Sequence, residues 1–460
     1  MLGMSLVQEA VLSIEFSRRT FIKGAVITAT AGLAASCDPS SRGAGTPGPD
    51  NVLDLPPGFN QRILSRAGEP VLGGGKGAGL VPANHDGMTA LPYDGNVILV
   101  RNHEQLPVHG TPVSGTEPFD PEDAGGVMGL VVSPKREPIR EFPLLSGTRR
   151  NCAGGTTPWG TWLTCEEIRD ENHGFVFEVV PQEGGSDLSR RPIREMGHFR
   201  HEAAGVDPAT GIVYLAEDAP GKGPDEDAVD AWARAEKQRT RSYVYRFLPD
   251  NRAARAGALH EGGRLQAMRL ETDEIEEAPN EIGKPAPVGW IDVDPDQAPE
   301  HARDRGAIPF RKLEGAYFTD GAFWFPDTNG GVERLGQIFR YSPRDETLEL
   351  FFEAKKETEM KNPDNLTMSP WGDLWFVEDG EGTDRVMGIT PDGAAYEFAR
   401  NQLNESELSG PCFSPDGRTF FVNLYDPGIT VAVWGPFDRW RANKAAASAQ
   451  AHPMGASRIA

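Results

Sequence analysis

Acidic side chains recur at one place in a repeated pattern, and a cysteine stands among them; together they form a donor set for cations. Six polar clusters each stand about one strand upstream of a glycine turn: Asn84-His85-Asp86-Gly87, Ala153-Gly154-Gly155-Thr156, His201-Glu202-Ala203, Leu313-Glu314-Gly315, Pro363-Asp364-Asn365-Leu366 and Glu407-Leu408-Ser409-Gly410. Carboxylates are hard oxygen donors that suit calcium, which takes many ligands in flexible geometry. Histidine is scarce at these positions, which argues against a three-histidine zinc site. Cys165, in Thr164-Cys165-Glu166-Glu167, is the soft exception. Calcium does not take sulfur, whereas iron accepts both thiolate and carboxylate. Spacing alone leaves the more ordinary reading open, that Cys165 is a small buried hydrophobe. No G-x-S-x-G elbow and no C-x-x-C pair offers a competing chemistry.

The elements that would position these groups are short strands. Gly95-Asn-Val-Ile-Leu-Val-Arg-Asn-His-Glu104 sets a pattern of glycine turn, apolar strand and acidic end. It returns as Gly160-Thr-Trp-Leu-Thr-Cys-Glu-Glu167, Gly211-Ile-Val-Tyr-Leu-Ala-Glu-Asp218, Gly321-Ala-Phe-Trp-Phe-Pro-Asp327, Gly372-Asp-Leu-Trp-Phe-Val-Glu-Asp379 and Gly417-Arg-Thr-Phe-Phe-Val-Asn-Leu-Tyr-Asp426. β-Branched and aromatic residues opened by a turn are strand signals. A second strand follows each copy, for example Tyr243-Val-Tyr-Arg-Phe or Gly336-Gln-Ile-Phe-Arg-Tyr. Paired strands repeating every ~45–65 residues predict an all-β fold, a six-bladed β-propeller. Two insertions interrupt the series, one at 220–240 with a helix expected around Asp227–Lys237, and an acidic, Pro-rich loop at 260–310. In a propeller, equivalent points of every blade converge on a central channel, so the polar clusters would meet at the axis.

The formal net charge of −22 argues against a nucleic-acid partner, which needs a basic surface, and suits a protein that gathers cations. Ser17-Arg18-Arg19-Thr20-Phe21-Ile22-Lys23 matches a twin-arginine export signal, followed by an apolar run from Ala25 to Ala35 that is too short to stay in a bilayer. Export to the periplasm or beyond is therefore expected, with the twin-arginine translocase as a transient partner and no transmembrane segment in the mature chain. Leu33-Ala34-Ala35-Ser36-Cys37 leaves a lipid anchor on Cys37 open beside simple cleavage. The expected organisation is a signal peptide and linker over 1–50, a propeller over 51–440 and a tail over 441–460. Beyond Cys37 only Cys152, Cys165 and Cys412 remain, so at least one thiol is unpaired within the molecule.

Arg101-Asn102-His103-Glu104, Thr164-Cys165-Glu166-Glu167, His201-Glu202-Ala203-Ala204-Gly205-Val206-Asp207, Leu313-Glu314-Gly315, Asp364-Asn365-Leu366 and Gly410-Pro411-Cys412-Phe413-Ser414-Pro415-Asp416-Gly417, in that order, resemble the PhoX family of alkaline phosphatases. The resemblance implies a phosphomonoester hydrolase with Ca2+ and Fe3+ as cofactors, the iron pair bridged by a cysteine, and a phosphate ester as substrate. Carried onto this chain, it makes Cys165 the bridging thiolate and Glu104 an iron carboxylate. Glu202, Glu217, Glu314, Asp364, Glu378 and Glu407 become candidate metal ligands, and Arg101, Arg200 or Arg385 the cation that grips phosphate. His103 and His201 are as well suited to orienting carboxylates as to binding metal. The mechanism implied is metal-assisted phosphoryl transfer. Two rival readings remain at this level. One is a calcium-dependent lactonase-like propeller, which has no use for a thiolate; the other is a non-enzymatic propeller that binds metals for stability alone.

Overall fold

A computed structural model describes residues 51–74, 79–107, 110–219, 241–271 and 278–441. The export signal, Cys37, the expected helix around 227–237 and residues 442–460 lie outside them. All described residues fall in one compact unit.

The chain enters through β1 (Leu53–Asp54) and β2 (Asn60–Arg66) and then builds six blades in sequence order. Blade 1 is β3 (His85–Tyr93), β4 (Asn96–His103), β5 (Gly125–Val132) and β6 (Pro138–Thr148). Blade 2 is β7 (Asn151–Thr156), β8 (Trp162–Glu166) and β9 (Val176–Val179), with Pro192 bridging to Phe177 at its outer edge. Blade 3 is β10 (His201–Val206), β11 (Val213–Glu217), β12 (Val244–Pro249) and β13 (Gly263–Leu270), extended by β14 (Ala286–Asp292). After the short helix α1 (Ala298–Asp304) comes blade 4: β15 (Tyr317–Thr319), β16 (Ala322–Asp327), β17 (Gln337–Ser342) and β18 (Thr347–Glu353). Blade 5 is β19 (Pro363–Met368), β20 (Leu374–Glu378), β21 (Arg385–Ile389) and β22 (Ala395–Asn401); blade 6 is β23 (Leu408–Phe413), β24 (Phe420–Leu424) and β25 (Ile429–Trp434).

Every pair within a blade is antiparallel, and the hairpin joining the first two strands turns on the glycine of the sequence repeat. Gly95, Gly160, Gly211, Gly321, Gly372 and Gly417 all have φ between 70° and 85°, the left-handed region that a side chain resists. The ring is closed by the N-terminal strands. β2 pairs with β25 as the outermost strand of blade 6, and β1 pairs with β22 of blade 5.

The core lies between blades. Each of six apolar clusters joins the facing sides of two neighbours, as Val100, Phe142, Trp162 and Phe177 do for blades 1 and 2. Leu64, Phe421 and Ala432 meet Met88, Leu99 and Leu130 where blade 6 returns to blade 1. This is why the second strands read as continuous apolar runs: both of their faces are covered.

One expectation needs revision. Residues 260–310 are not only a loop, because they contain β13, β14 and α1. Arg264, Gln266 and Arg269 interrupt the apolar signal of β13, yet Leu265, Ala267 and Met268 are buried.

Candidate metal centre

The donor groups are aimed by a defect that recurs in the inner strands. In five blades the first strand slips against the second near its start: between His85 and Met88, Asn151 and Gly154, His201 and Ala203, Pro363 and Leu366, and Ser409 and Cys412. In blade 4 the same place is an isolated bridge from Leu313 to Asp327. A bulge re-aims the side chains it carries. Asp86, Cys152, Glu202, Glu314 and Asp364 all sit at this point. The residue that follows is small where inner strands meet. A Cβ on Gly87 would lie 2.6 Å from the Ala153 backbone, and one on Gly315 would lie 2.5 Å from that of Asn365. Polar residues of neighbouring blades satisfy the carbonyls that the bulges leave over. Asn102 Nδ2 donates to the carbonyls of Cys152 and Ala153 at 2.9 Å each, Thr328 Oγ1 to that of Pro363 at 2.6 Å, and Asn423 Nδ2 to that of Asp86 at 2.7 Å.

The result is a buried acidic cluster containing one thiol. Cys152, Glu167 and Glu202 each place a ligand atom within 4.8 Å of the others, and so do Glu202, Glu314 and Asp364. The Cys152 thiol donates to Glu202 Oε1 at 3.1 Å. Burial, reinforced by Glu104 and Asp364, raises the Asp86 carboxyl well above its usual range. Burial and then Asp379 do the same to Glu407, and burial with Asp86 and Glu202 holds the Cys152 thiol protonated. Three cations rim the cluster, each about one-fifth exposed. Arg150, in the left-handed region at φ 50°, donates to Glu104 Oε1 and to Glu167 Oε2. Arg200 donates to Glu167 Oε1 at 2.6 Å, and Lys312 pairs with Glu314. Tyr425 donates to Glu104 Oε2 at 2.7 Å. Eight carboxylates thus share a buried site with three cations: Asp86, Glu104, Glu167, Glu202, Glu314, Asp364, Asp379 and Glu407. Such an excess of buried charge is stabilised by bound cations, so the donor set fits metal ions.

A family model described as "Alkaline phosphatase PhoX" matches residues 41–137 and 124–428. The chain belongs to the PhoX family. Among solved structures, Pseudomonas fluorescens PhoX in complex with vanadate superposes with a TM-score of 0.61 at 18% identity, over 84% of this chain and 96% of that one. That likeness supports the propeller fold. A gluconolactonase from Xanthomonas campestris matches with a TM-score of 0.43 at 14% identity, over 85% of this chain and 99% of that one. No curated protein sequence matches the chain. Membership of the PhoX family makes it a metal-dependent phosphomonoesterase.

The structure brings together only part of the set that the sequence put forward in this PhoX chain. Glu104, Glu202, Glu314, Asp364 and Glu407 meet at the axis. Cys165 does not. Its side chain lies in the apolar core between blades 2 and 3, with Leu163, Val176, Leu215 and Tyr245, and burial alone raises its pKa. The thiol among the carboxylates is Cys152, and Cys165 is not placed to bridge metals there. Arg101 is fully buried, donating to Thr430 Oγ1 at 2.7 Å and pairing with Glu141 at 3.4 Å, and is out of reach of a substrate. Arg385 directs Nε and Nη2 at Glu378, each at 2.7 Å, which makes a closed pair of two expected site residues. Glu217 accepts from the Tyr245 hydroxyl at 2.7 Å, and burial pushes its pKa up to about 8. Neither Glu217 nor Glu378 joins a potential ligand group among the described residues. His103 donates from Nδ1 to the Ala83 carbonyl and accepts at Nε2 from Arg101 Nε, and His201 donates from Nε2 to the Gly197 carbonyl and stacks on Phe199; both therefore serve structure. Asp86 belongs to the first of the polar clusters expected at the axis but not to the ligands that the resemblance implies; Cys152, Glu167, Asp379, Arg150, Lys312 and Tyr425 are the residues at the centre that the sequence reading missed.

Proposed function

We propose that this chain hydrolyses phosphate monoesters at the axial cluster, with iron held at its thiol end and calcium at its all-carboxylate end. The observation that carries the assignment is the division of the donor set. Cys152 stands with Glu167 and Glu202, whereas Glu202, Glu314 and Asp364 offer only oxygen. Thiolate with carboxylate suits iron, and oxygen alone suits calcium. Bound there, the ions would supply the positive charge needed by the phosphoryl oxygens during in-line displacement.

The chain's own residues would do the rest. Arg150 presents a forked donor to the carboxylates at the rim, and the same fork matches a phosphate. Arg200 holds Glu167, and Asn365 donates to Asp364 Oδ1 at 2.9 Å while accepting from the Gly410 amide. These contacts fix the ligand oxygens before substrate arrives, which is what preorganised catalysis requires. Lactonase-like chemistry has no role for the Cys152 thiol.

The test is elemental analysis of the native protein together with turnover of 4-nitrophenyl phosphate. Iron and calcium should both be present, and a calcium chelator should abolish turnover until calcium is returned. Stoichiometric zinc without iron would overturn the reading.

We place the mature protein in the periplasm or outside the cell, exported by the twin-arginine translocase on the strength of Ser17–Lys23. Replacing Arg18 and Arg19 by Lys should leave the protein in the cytoplasm, and unchanged export would show that the signal has been misread. Among the described residues no helix is long and apolar enough to cross a membrane.

A further inference from the structure

We infer that a second cation site, for a divalent transition metal of the zinc class, lies between blades 1 and 2, built from Nε2 of His173 and the carboxylates of Asp120 and Asp123. The two aspartates stand on the loop from β4 to β5 and the histidine on the loop from β8 to β9. Their ligand atoms lie within 4.8 Å of one another. Nε2 is 2.8 Å from Asp123 Oδ2 and 4.0 Å from Asp120 Oδ2.

Acidic clusters are common, but here the state of the histidine points to a ligand. Glu166 accepts the backbone amides of Arg149, Gly174 and Phe175, at 2.9, 2.8 and 3.1 Å, so its carboxylate is held as an acceptor. It faces His173 Nδ1 at 2.7 Å, which places the proton of the neutral ring on Nδ1. The lone pair is then on Nε2, which is buried, faces the two aspartates and makes no hydrogen bond. A carboxylate behind a histidine that faces an ion is the usual support of a metal-bound imidazole. The nitrogen donor favours zinc-class ions over calcium.

Arg149 is the counter-argument, since it donates to both oxygens of Asp123 at 2.6 and 2.9 Å. A carboxylate has about four lone-pair sites and can take a guanidinium and an ion together. The local charge also remains negative: Asp120, Asp123, Glu166 and Asp170 surround the single Arg149. Asp120 is about one-third exposed, which leaves a way in for an ion and room for water ligands. The competitor for the lone pair is a proton. Burial opposes charging His173, but Glu166 and Asp123 outweigh it and raise the pKa.

The site is distinct from the axial centre and adjoins it through the chain. Arg149 and Glu166 serve the peripheral site, while their neighbours Arg150 and Glu167 serve the axis. An ion here would pin both strand ends.

The test uses the protein isolated with its own metals in place. It should contain, or take up on addition of Zn2+, one ion per chain beyond those at the axis. Asp120→Asn, at a partly exposed position that should not disturb folding, should weaken that ion at least tenfold, and His173→Ala should lose it. Co2+ added instead should show ligand-field absorption without a thiolate charge-transfer band, because Cys152 is not involved. A parent that takes no additional ion, variants that bind it as the parent does, or a thiolate band with Co2+ would each overturn the inference, leaving a protonated His173 in an ion-pair network. None of these readouts depends on phosphatase activity.

Discussion

Cys152 and Cys165 are both buried and unpaired, yet their surroundings give them opposite roles. Cys152→Ser exchanges a soft anionic donor for a hydroxyl that stays protonated, so iron should be lost and turnover should fall by at least about a hundredfold. Cys165→Ser places a hydroxyl among Leu163, Val176 and Tyr245, which costs about 1–3 kcal/mol of stability and leaves activity per folded molecule intact. Iron content, turnover and thermal melting of both variants decide the matter, and a dead Cys165→Ser beside a fully active Cys152→Ser would reverse the assignment. The place of Cys152 at the axis has a signal in the sequence. Asp86-Gly87, Glu202-Ala203 and Glu314-Gly315 pair a donor with a small residue, and Cys152-Ala153 is the same pair in blade 2. Cys165 has the acidic neighbours, Glu166 and Glu167, but alternation along β8 turns it toward the core. Glu217 gives a second residue-scale prediction. Its folded pKa of about 8 exceeds that of an unfolded glutamate, so the folded state holds the proton more tightly. Its contribution to stability, on the order of 5 kcal/mol, is therefore full below about pH 4 and is lost as pH rises toward 8. Glu217→Gln should flatten urea stability between pH 5 and 8 and retain turnover. An unchanged slope would disprove the buried-acid reading, and lost metal would restore Glu217 as a ligand.

At the scale of elements, the inner-strand bulge does the positioning, and it persists because a neighbouring blade satisfies its carbonyls. Asn102 is the clearest case. Its Nδ2 serves two carbonyls of the Cys152 bulge, and its Oδ1 accepts from Trp162 Nε1 and Thr164 Oγ1, each at 2.9 Å. Asn102→Ala strands several buried polar groups, each costing about 1–3 kcal/mol. The expected outcome is a melting temperature lower by several degrees and faster loss of the metal at the thiol end, with the all-carboxylate end less affected because Glu314 and Asp364 come from blades that Asn102 does not touch. Equal iron retention in parent and variant would show that the bulge holds itself. Strands and hairpins were legible because glycine turns and apolar runs are local signals. Bulges were not, since a bulge is a relation between two strands, and Asn102 looked like one more polar residue at a strand end. The insertion at 260–310 hid β13 for a related reason: its polar face looked like loop, and only pairing with β12 fixes it as strand.

At the scale of the whole molecule, ring closure and the metal centre depend on each other. Every blade supplies at least one axial donor from the start of its inner strand: Asp86, Cys152, Glu202, Glu314, Asp364 and Glu407. Ions that hold them therefore tie all six blades, and whatever binds only the folded state stabilises it. Closure itself rests on β1 and β2. Gln61 couples the two strands by accepting from the amides of Val52 and Leu53 and donating to the Leu53 carbonyl at 2.7 Å. A chain beginning at residue 67 would expose the outer edge of β25 and leave blade 6 with three strands. It should melt at lower temperature and over a broader range than the full chain, and added calcium should raise its melting temperature by less than it raises that of the full chain. Gln61→Ala tests the same link more gently, because it removes three hydrogen bonds and no strand; the expected loss is about 1–3 kcal/mol in denaturant. If closure and metal binding were separate, the shortened chain would still gain as much from calcium as the full one. Melting both chains with and without calcium distinguishes these outcomes, and equal gains would mean that the inner strands form the centre without help from the closing strands.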